Sequence, residues 1–92
     1  MIVVKFELDN LRSAAYDGNK LVGMAEFSIN DNVWTIYHTE TNPSYGGQGI
    51  GKALIKCLVD QARNSKVKIV PLCSFASREF IKNIEYQDVK QN

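Results

Sequence analysis

Little in this sequence is suited to cross-linking, metal binding or membrane insertion. Its 92 residues hold two Cys, two Pro, one Trp and a single His, and no apolar run approaches the roughly 18 residues that cross a bilayer. Cys57 and Cys73, without a His cluster nearby, form neither a disulfide framework nor a zinc site, so no metal is expected. The opening Met1-Ile2-Val3-Val4-Lys5 lacks the basic-then-apolar order of a secretion signal, and the expected setting is a reducing cytoplasm with both cysteines as thiols. Charge of one sign is also scarce. Eleven Lys plus Arg against ten Asp plus Glu leave a net +1, which excludes the broad electropositive surface of general nucleic-acid or membrane-surface binders. Neither partner is expected.

What is present suits one small globular domain over residues 1–92, expected as a monomer. A chain of this size buries roughly 60–65% of its extended-chain surface, enough to fold without staples. Its charge is unevenly spread. Residues 1–51 carry three basic and six acidic side chains, whereas residues 52–68 carry five basic and one acidic.

The first forty residues read as strands. Lys5 and Glu7 alternate with Val4, Phe6 and Leu8, and Leu21, Gly23, Ala25, Phe27 and Ile29 alternate with Val22, Met24, Glu26 and Ser28. Asp17-Gly18-Asn19 is a hairpin signal that pairs Arg12–Tyr16 with the following strand, and Asn30-Asp31-Asn32 marks a second turn. Val33–Thr39, rich in β-branched and aromatic residues, extends the antiparallel meander. Along it His38 alternates with Trp34 and Ile36, which predicts one shared face. Lys52–Asn64 reads as a long helix with Ile50, Leu54, Leu58 and Ala62 on one stripe and Cys57 beside it as a core residue. Val67–Leu72 reads as a central strand ended by Pro71, Phe75–Asn83 as a short helix, and Glu85–Asn92 as a tail docked through Tyr86 and Val89 before fraying. The expected fold is α+β, with the long helix on one face of the sheet and the short C-terminal helix closing the other.

The informative unit is the strand, break, glycine-rich turn and helix from Ile36 to Leu54. Gly46, Gly47, Gly49 and Gly51 allow close backbone approach to a ligand, and the helix N-terminus favours an anion such as phosphate. Lys52 and Lys56, one turn apart, add cations or are simply solvated. Three phosphate-binding patterns compete here. A Walker loop matches through Gly46, Gly51 and Lys52, but Ala53 stands where the magnesium-binding Ser or Thr belongs. A dinucleotide fingerprint starting at Gly49 fails because Leu54 replaces its last glycine. A long turn without a ligand is the plain alternative.

The third pattern fits better. Tyr45-Gly46-Gly47-Gln48-Gly49-Ile50-Gly51-Lys52-Ala53-Leu54 resembles motif A of the GCN5-related N-acetyltransferases, whose loop binds the pyrophosphate of coenzyme A. Together with His38-Thr39-Glu40, Pro43, Val70-Pro71-Leu72-Cys73-Ser74-Phe75 and Glu85-Tyr86-Gln87-Asp88-Val89, the chain resembles a small, truncated subfamily of these proteins over nearly its whole length. Two departures stand out. Gly46 occupies the place of a Gln or Arg, which leaves phosphate to backbone donors and the basic 52–68 segment, and Asn83-Ile84 replaces a His-Pro pair.

The resemblance implies acetyl-CoA as cosubstrate and a last strand parallel to its neighbour. It assigns coenzyme A contacts to the backbone of Thr39, Glu40 and Thr41, to Gly46, Gly47, Gln48, Gly49, Ile50, Gly51 and Lys52, and to Cys73, Ser74 and Phe75. It makes Cys73 the chief catalytic candidate. Beside a helix N-terminus a thiol can attack a thioester to give acetyl-Cys73, or act as general acid toward the leaving thiolate, or merely fill space. Glu40 is a candidate base for the incoming amine and His38 a candidate proton carrier, against the plain readings of a solvated carboxylate and a hydrogen-bonded sheet residue. The helices that build the acceptor side in larger relatives have no counterpart, since only a four-residue turn separates Tyr16 from Leu21. An open site follows, suited to a protein side chain, a terminus or an acceptor supplied by a partner. The leading expectation is an N-acetyltransferase, with a non-catalytic acyl-CoA-binding module second and a magnesium-dependent nucleotide binder third.

Overall fold

Period-two alternation over the first 41 residues produces four antiparallel strands, β1 (Ile2–Glu7), β2 (Arg12–Asp17), β3 (Lys20–Asn30) and β4 (Val33–Thr41). The computed structural model describes all 92 residues. Two-residue turns join β2 to β3 and β3 to β4, with positive φ at Gly18 (62°) and Asp31 (54°), as tight hairpin turns require. The glycine-rich turn then feeds α1 (Ile50–Ser65), which returns the chain to β5 (Lys68–Pro71), parallel to β4. After α2 (Ser74–Lys82), a 3-10 turn at Ile84–Tyr86 leads into the tail. The sheet order is β1-β2-β3-β4-β5. The fold is α+β, as expected from the sequence, and the parallel last pair agrees with the resemblance.

One face of the sheet supplies the core. Phe6, Phe27 and Trp34 stack with centroids 4.7 to 6.0 Å apart. Ile50, Leu54, Leu58 and Ala62 of α1 are buried against this face, together with Ile55 and Val59, which widen the predicted stripe. Full burial of each large apolar side chain contributes about 1.5–3 kcal/mol. The Ser13 hydroxyl donates to the Leu54 carbonyl at 2.9 Å, satisfying a buried polar group while fixing α1 over β2.

Four expectations change. The short helix does not close the opposite face: α2 lies beside α1, where Ala76 and Phe80 complete the same core and the Phe75 ring lies against Gly51. The opposite face carries no helix, and Val3, Lys5, Arg12, Met24, Glu26 and Tyr37 stay half-buried or exposed there. β5 is not central, because beyond it lies only the tail, whose Val89 carbonyl accepts from Ile69 N–H (2.6 Å) while Gln91 N–H donates to Ile69 (2.8 Å). Those bonds also keep the tail docked past Val89 instead of fraying there. Finally, His38 does not share a face with Trp34 and Ile36. Phe27 pairs with Ile36 but Glu26 pairs with His38, so Tyr37 is an extra residue whose bulge inverts the alternation of everything after it.

Candidate active site

The site begins where β4 and β5 part. Their pairing ends at Ile36 and Pro71, a residue with no N–H to continue a ladder, and both Leu72 and Cys73 N–H groups donate to the Ile36 carbonyl at 3.0 Å. The chain then turns into α2, while β4 runs five residues further, paired only with β3. Asn42 N–H donates to Val22 O at 2.8 Å, so the alternation of an antiparallel strand directs the backbones of Glu40 and His38 to β3 as well. The N–H and C=O groups of Thr39 and Thr41 point the other way, into the gap.

After the bulge, Thr39 and Thr41 also place their side chains on the helix side. Thr39 Oγ1 lies 3.4 Å from Cys73 Sγ across the gap, within hydrogen-bond range for sulfur. Cys73 is the N-cap of α2, and its Sγ accepts the Ala76 N–H at 3.4 Å. Its position therefore follows from helix capping as well as from the sheet. Ser74 opens α2 directly beside it.

Thr41 leads to the glycine loop. A depression of 270 Å³ is lined by Thr41, Tyr45, Gly46, Gly47, Gly49, Ile50, Gly51, Lys52 and Phe75. Gly47 (φ 81°) and Gly49 (φ 71°) adopt the left-handed conformation that opens the backbone toward it. Gly46 N–H donates to Pro43 and Ala53 N–H to Gly49, but the six N–H groups between them, Gly47 through Lys52, donate to no atom of the chain. No side chain caps α1. This row of free donors at the positive end of a helix, next to a lysine, has the chemistry to hold a diphosphate. Gln48 belongs to the row through its N–H.

The loop is anchored by residues that sequence reasoning missed. Tyr45 OH donates to Asp17 Oδ2 at 2.6 Å, Lys20 lies over the Tyr45 ring at 5.6 Å, and the Asn42 side chain accepts from Ser44 N–H at 2.9 Å. The Tyr45 hydroxyl holds the Asp17 carboxyl below its ordinary range, helped by the N-terminal ammonium, and Asp17 in turn raises the phenol. Tyr45 adjoins the loop in sequence, but nothing in the chain links it to a hairpin residue 28 positions earlier.

The remaining candidates lie elsewhere. His38 Nε2 and Glu40 Oε1 form an exposed pair at 2.8 Å on the helix-free face, across the sheet from Cys73. Lys56 is engaged by Asp60 at 2.8 Å. Cys57 is half-buried on α1, where burial raises its thiol, as suits a packing residue.

A family model described as GCN5-related N-acetyltransferase matches residues 12–89. Among solved structures, a GCN5-like protein of Staphylococcus aureus is 32% identical, with a TM-score of 0.77 over 98% of this chain and 88% of its own. The ribosomal-protein-S18-alanine N-acetyltransferase of Escherichia coli has 20% identity and a TM-score of 0.66, covering 80% of this chain and 50% of its own. A Clostridium acetobutylicum protein solved with acetyl-CoA has 19% identity and a TM-score of 0.56, covering 82% of this chain and 58% of its own; these last two likenesses concern the fold. A comparison with curated proteins finds no match. On the family match and the Staphylococcus aureus relative together, the chain belongs to the GCN5-related N-acetyltransferases.

Proposed function

We propose that the protein transfers an acetyl group from acetyl-CoA to an amine, with its reaction centre between Thr39 and Cys73. The observation that carries this reading is the row of six free N–H groups from Gly47 to Lys52, contiguous through Thr41 with the gap between β4 and β5. Those amides and the Lys52 ammonium would hold the pyrophosphate. The Thr39 and Thr41 backbones would hold the pantetheine arm, as the edge of a strand holds an extended chain. Acetyl-CoA supplies an activated thioester. A backbone N–H in the gap is suited to the charge that develops on the thioester oxygen, a contribution of about 3–4 kcal/mol in comparable acyl-transfer sites.

Cys73 is the proposed nucleophile. Its sulfur forms a bond to the acetyl carbon as the coenzyme A sulfur leaves, the thiol proton passing to the departing thiolate. A neutral amine then forms the N–C bond, the Cys73 S–C bond breaks, and the proton shed by the nitrogen passes to the Cys73 thiolate to restore the thiol. Thr39 positions the sulfur. Glu40, paired with His38, is proposed to take the ammonium proton of the incoming acceptor on the helix-free face, which frees the neutral amine for attack, and the lack of a covering helix there suits a protein side chain or terminus as acceptor. The free thiols of Cys57 and Cys73 support a reducing, cytoplasmic setting, and we propose a monomer.

Intact-mass analysis after incubation with acetyl-CoA, alongside an acceptor panel of amines and proteins, tests this reading. The expectation is one acetyl group on wild type and none on Cys73→Ala, with loss of transfer. Wild-type turnover by Cys73→Ala would remove Cys73 from the chemistry. A second reading, a non-catalytic module that binds acyl-CoA for a partner, is favoured by the short connections between the first strands, which leave the acceptor side unbuilt. Saturable binding without transfer to any acceptor would select it.

A further inference from the structure

A depression of 320 Å³ lies where the start of β3 meets the end of β4. Leu21, Met24 and Pro43 form its apolar wall, and Glu40 is the only charged residue in its lining. Met24 and Glu40 stand opposite each other in the β3–β4 register on the helix-free face. Thr41 lines both this depression and the glycine-loop depression, so the two adjoin at the end of β4.

Its chemistry is the reverse of the glycine loop's. A carboxylate without a cation repels phosphate and attracts an ammonium. Glu40 gives Oε1 to His38 at 2.8 Å, which leaves Oε2 for a further donor. Glu26, opposite His38, adds a second carboxylate, since its other cross-strand neighbour, Arg12, is held by Glu7 at 2.8 Å. The Asn42 side chain is spent on Ser44 N–H. An acidic rim beside an apolar wall suits an amine carried next to apolar side chains.

A protein offers two kinds of amine, and exposure separates them. The Glu40 and His38 side chains are 61% and 47% exposed, so water reaches the incoming ammonium and keeps its proton affinity close to the solution value. An α-amine titrates at about 7.7–8.0 and a lysine at about 10.4, so near neutral pH the attacking, neutral fraction of the α-amine is larger by a factor on the order of 10². No helix over this face desolvates a lysine to close that gap.

We propose that this depression is the acceptor-side subsite, taking an apolar side chain from the first two residues of a polypeptide whose α-amine receives the acetyl group. The inference rests on the acetyl-transfer reading above and names its acceptor. Glu40 takes the α-ammonium proton, and the neutral nitrogen forms the N–C bond as the Cys73 S–C bond breaks. The proton then shed by the nitrogen restores the thiol.

Acetylation of four short peptides by wild type and Leu21→Asp tests it. Three have free α-amines and open Gly-Gly, Gly-Leu or Leu-Gly; the fourth opens Gly-Leu with its α-amine blocked and carries an internal Lys. Leu21 is 37% exposed, so its substitution leaves the core intact. Wild type is expected to favour the better Leu peptide over Gly-Gly by about tenfold in kcat/KM, and to use the blocked peptide at least about tenfold less well than Gly-Gly. Leu21→Asp is expected to lose most of the preference for Leu. Equal kcat/KM for the three free peptides, faster transfer to the blocked one, or a full preference retained by Leu21→Asp overturns the subsite. Transfer to other amines but to none of these peptides overturns it too and leaves the acetyl-transfer reading standing. Acetyl-CoA binding without transfer to any amine overturns both.

Discussion

Thr39 Oγ1 and Cys73 Sγ face each other at 3.4 Å where β4 and β5 cease to pair, one from a strand whose edge has been left open and the other from the cap of a helix. Thr39→Val keeps the shape of the side chain and removes the hydroxyl. A hydrogen bond of this kind is worth about 0.5–1.5 kcal/mol, so the substitution is expected to lower turnover by about 2- to 10-fold while leaving acetyl-CoA affinity unchanged. Steady-state kinetics with a direct binding measurement separate the two effects. Unchanged turnover would mean that Thr39 does not position the sulfur.

Gly51 is irreplaceable for a different reason from Gly47 and Gly49. A Cβ at Gly51 would lie 2.6 Å from Phe75 Cζ, whereas at Gly47 and Gly49 it would meet nothing within 4 Å but would occupy a positive-φ conformation. Gly51→Ala is expected to destabilise the protein by about 1–3 kcal/mol through overpacking, and a second change, Phe75→Leu, to recover part of the loss. Gly47→Ala or Gly49→Ala is expected to cost about 1–2 kcal/mol that no neighbouring substitution relieves. Denaturant titration of the single and double variants decides.

Stability is expected to fall in acid through Glu7. Its carboxyl is held below the ordinary range, first by the Tyr16 hydroxyl at 2.5 Å and then by Arg12 at 2.8 Å. A depressed carboxyl contributes stability that is fully present above its unfolded-state pKa and is lost as the pH falls through its folded one. The expected loss therefore begins as the pH drops through the ordinary carboxylate range and continues below it. Thermal melts of wild type and Glu7→Gln should differ near neutrality and converge in acid. A constant gap between them would contradict the assignment.

The tail is fastened by Arg63, whose Nε and Nη2 donate to the two Asp88 carboxylate oxygens at 2.8 and 2.9 Å. Arg63→Ala is expected to speed amide exchange at Gln91 and Ile69, the two donors that tie the tail to β5. Exchange at β2 and β3 serves as the control and should stay unchanged. Equal exchange in both proteins would show that burial of Tyr86 and Val89 alone holds the tail.

What was legible in the sequence followed local rules. Period-two runs gave the strands, Gly18 and Asn30-Asp31-Asn32 gave the turns, and a glycine cluster before an apolar stripe gave the cradle and α1. What was not legible depended on distant partners. Tyr37 has no composition that marks a bulge, yet one extra residue moves His38 and Glu40 to the face opposite Cys73. The apolar run of β5 resembles a central strand because α1 covers its inner face, although its far edge meets only Lys90 and its neighbours. Asp17 and Tyr45 join segments that no spacing rule connects.

The most direct test of the central claim is amide NMR of uniformly ¹⁵N-labelled protein during titration with acetyl-CoA. Free N–H groups that receive a diphosphate must change their chemical shifts. Saturable shifts concentrated at Gly47 through Lys52, extending to Thr39, Thr41 and Cys73, are the predicted result. Saturation that leaves Gly47 through Lys52 unmoved, or no saturable shift at all, would contradict it.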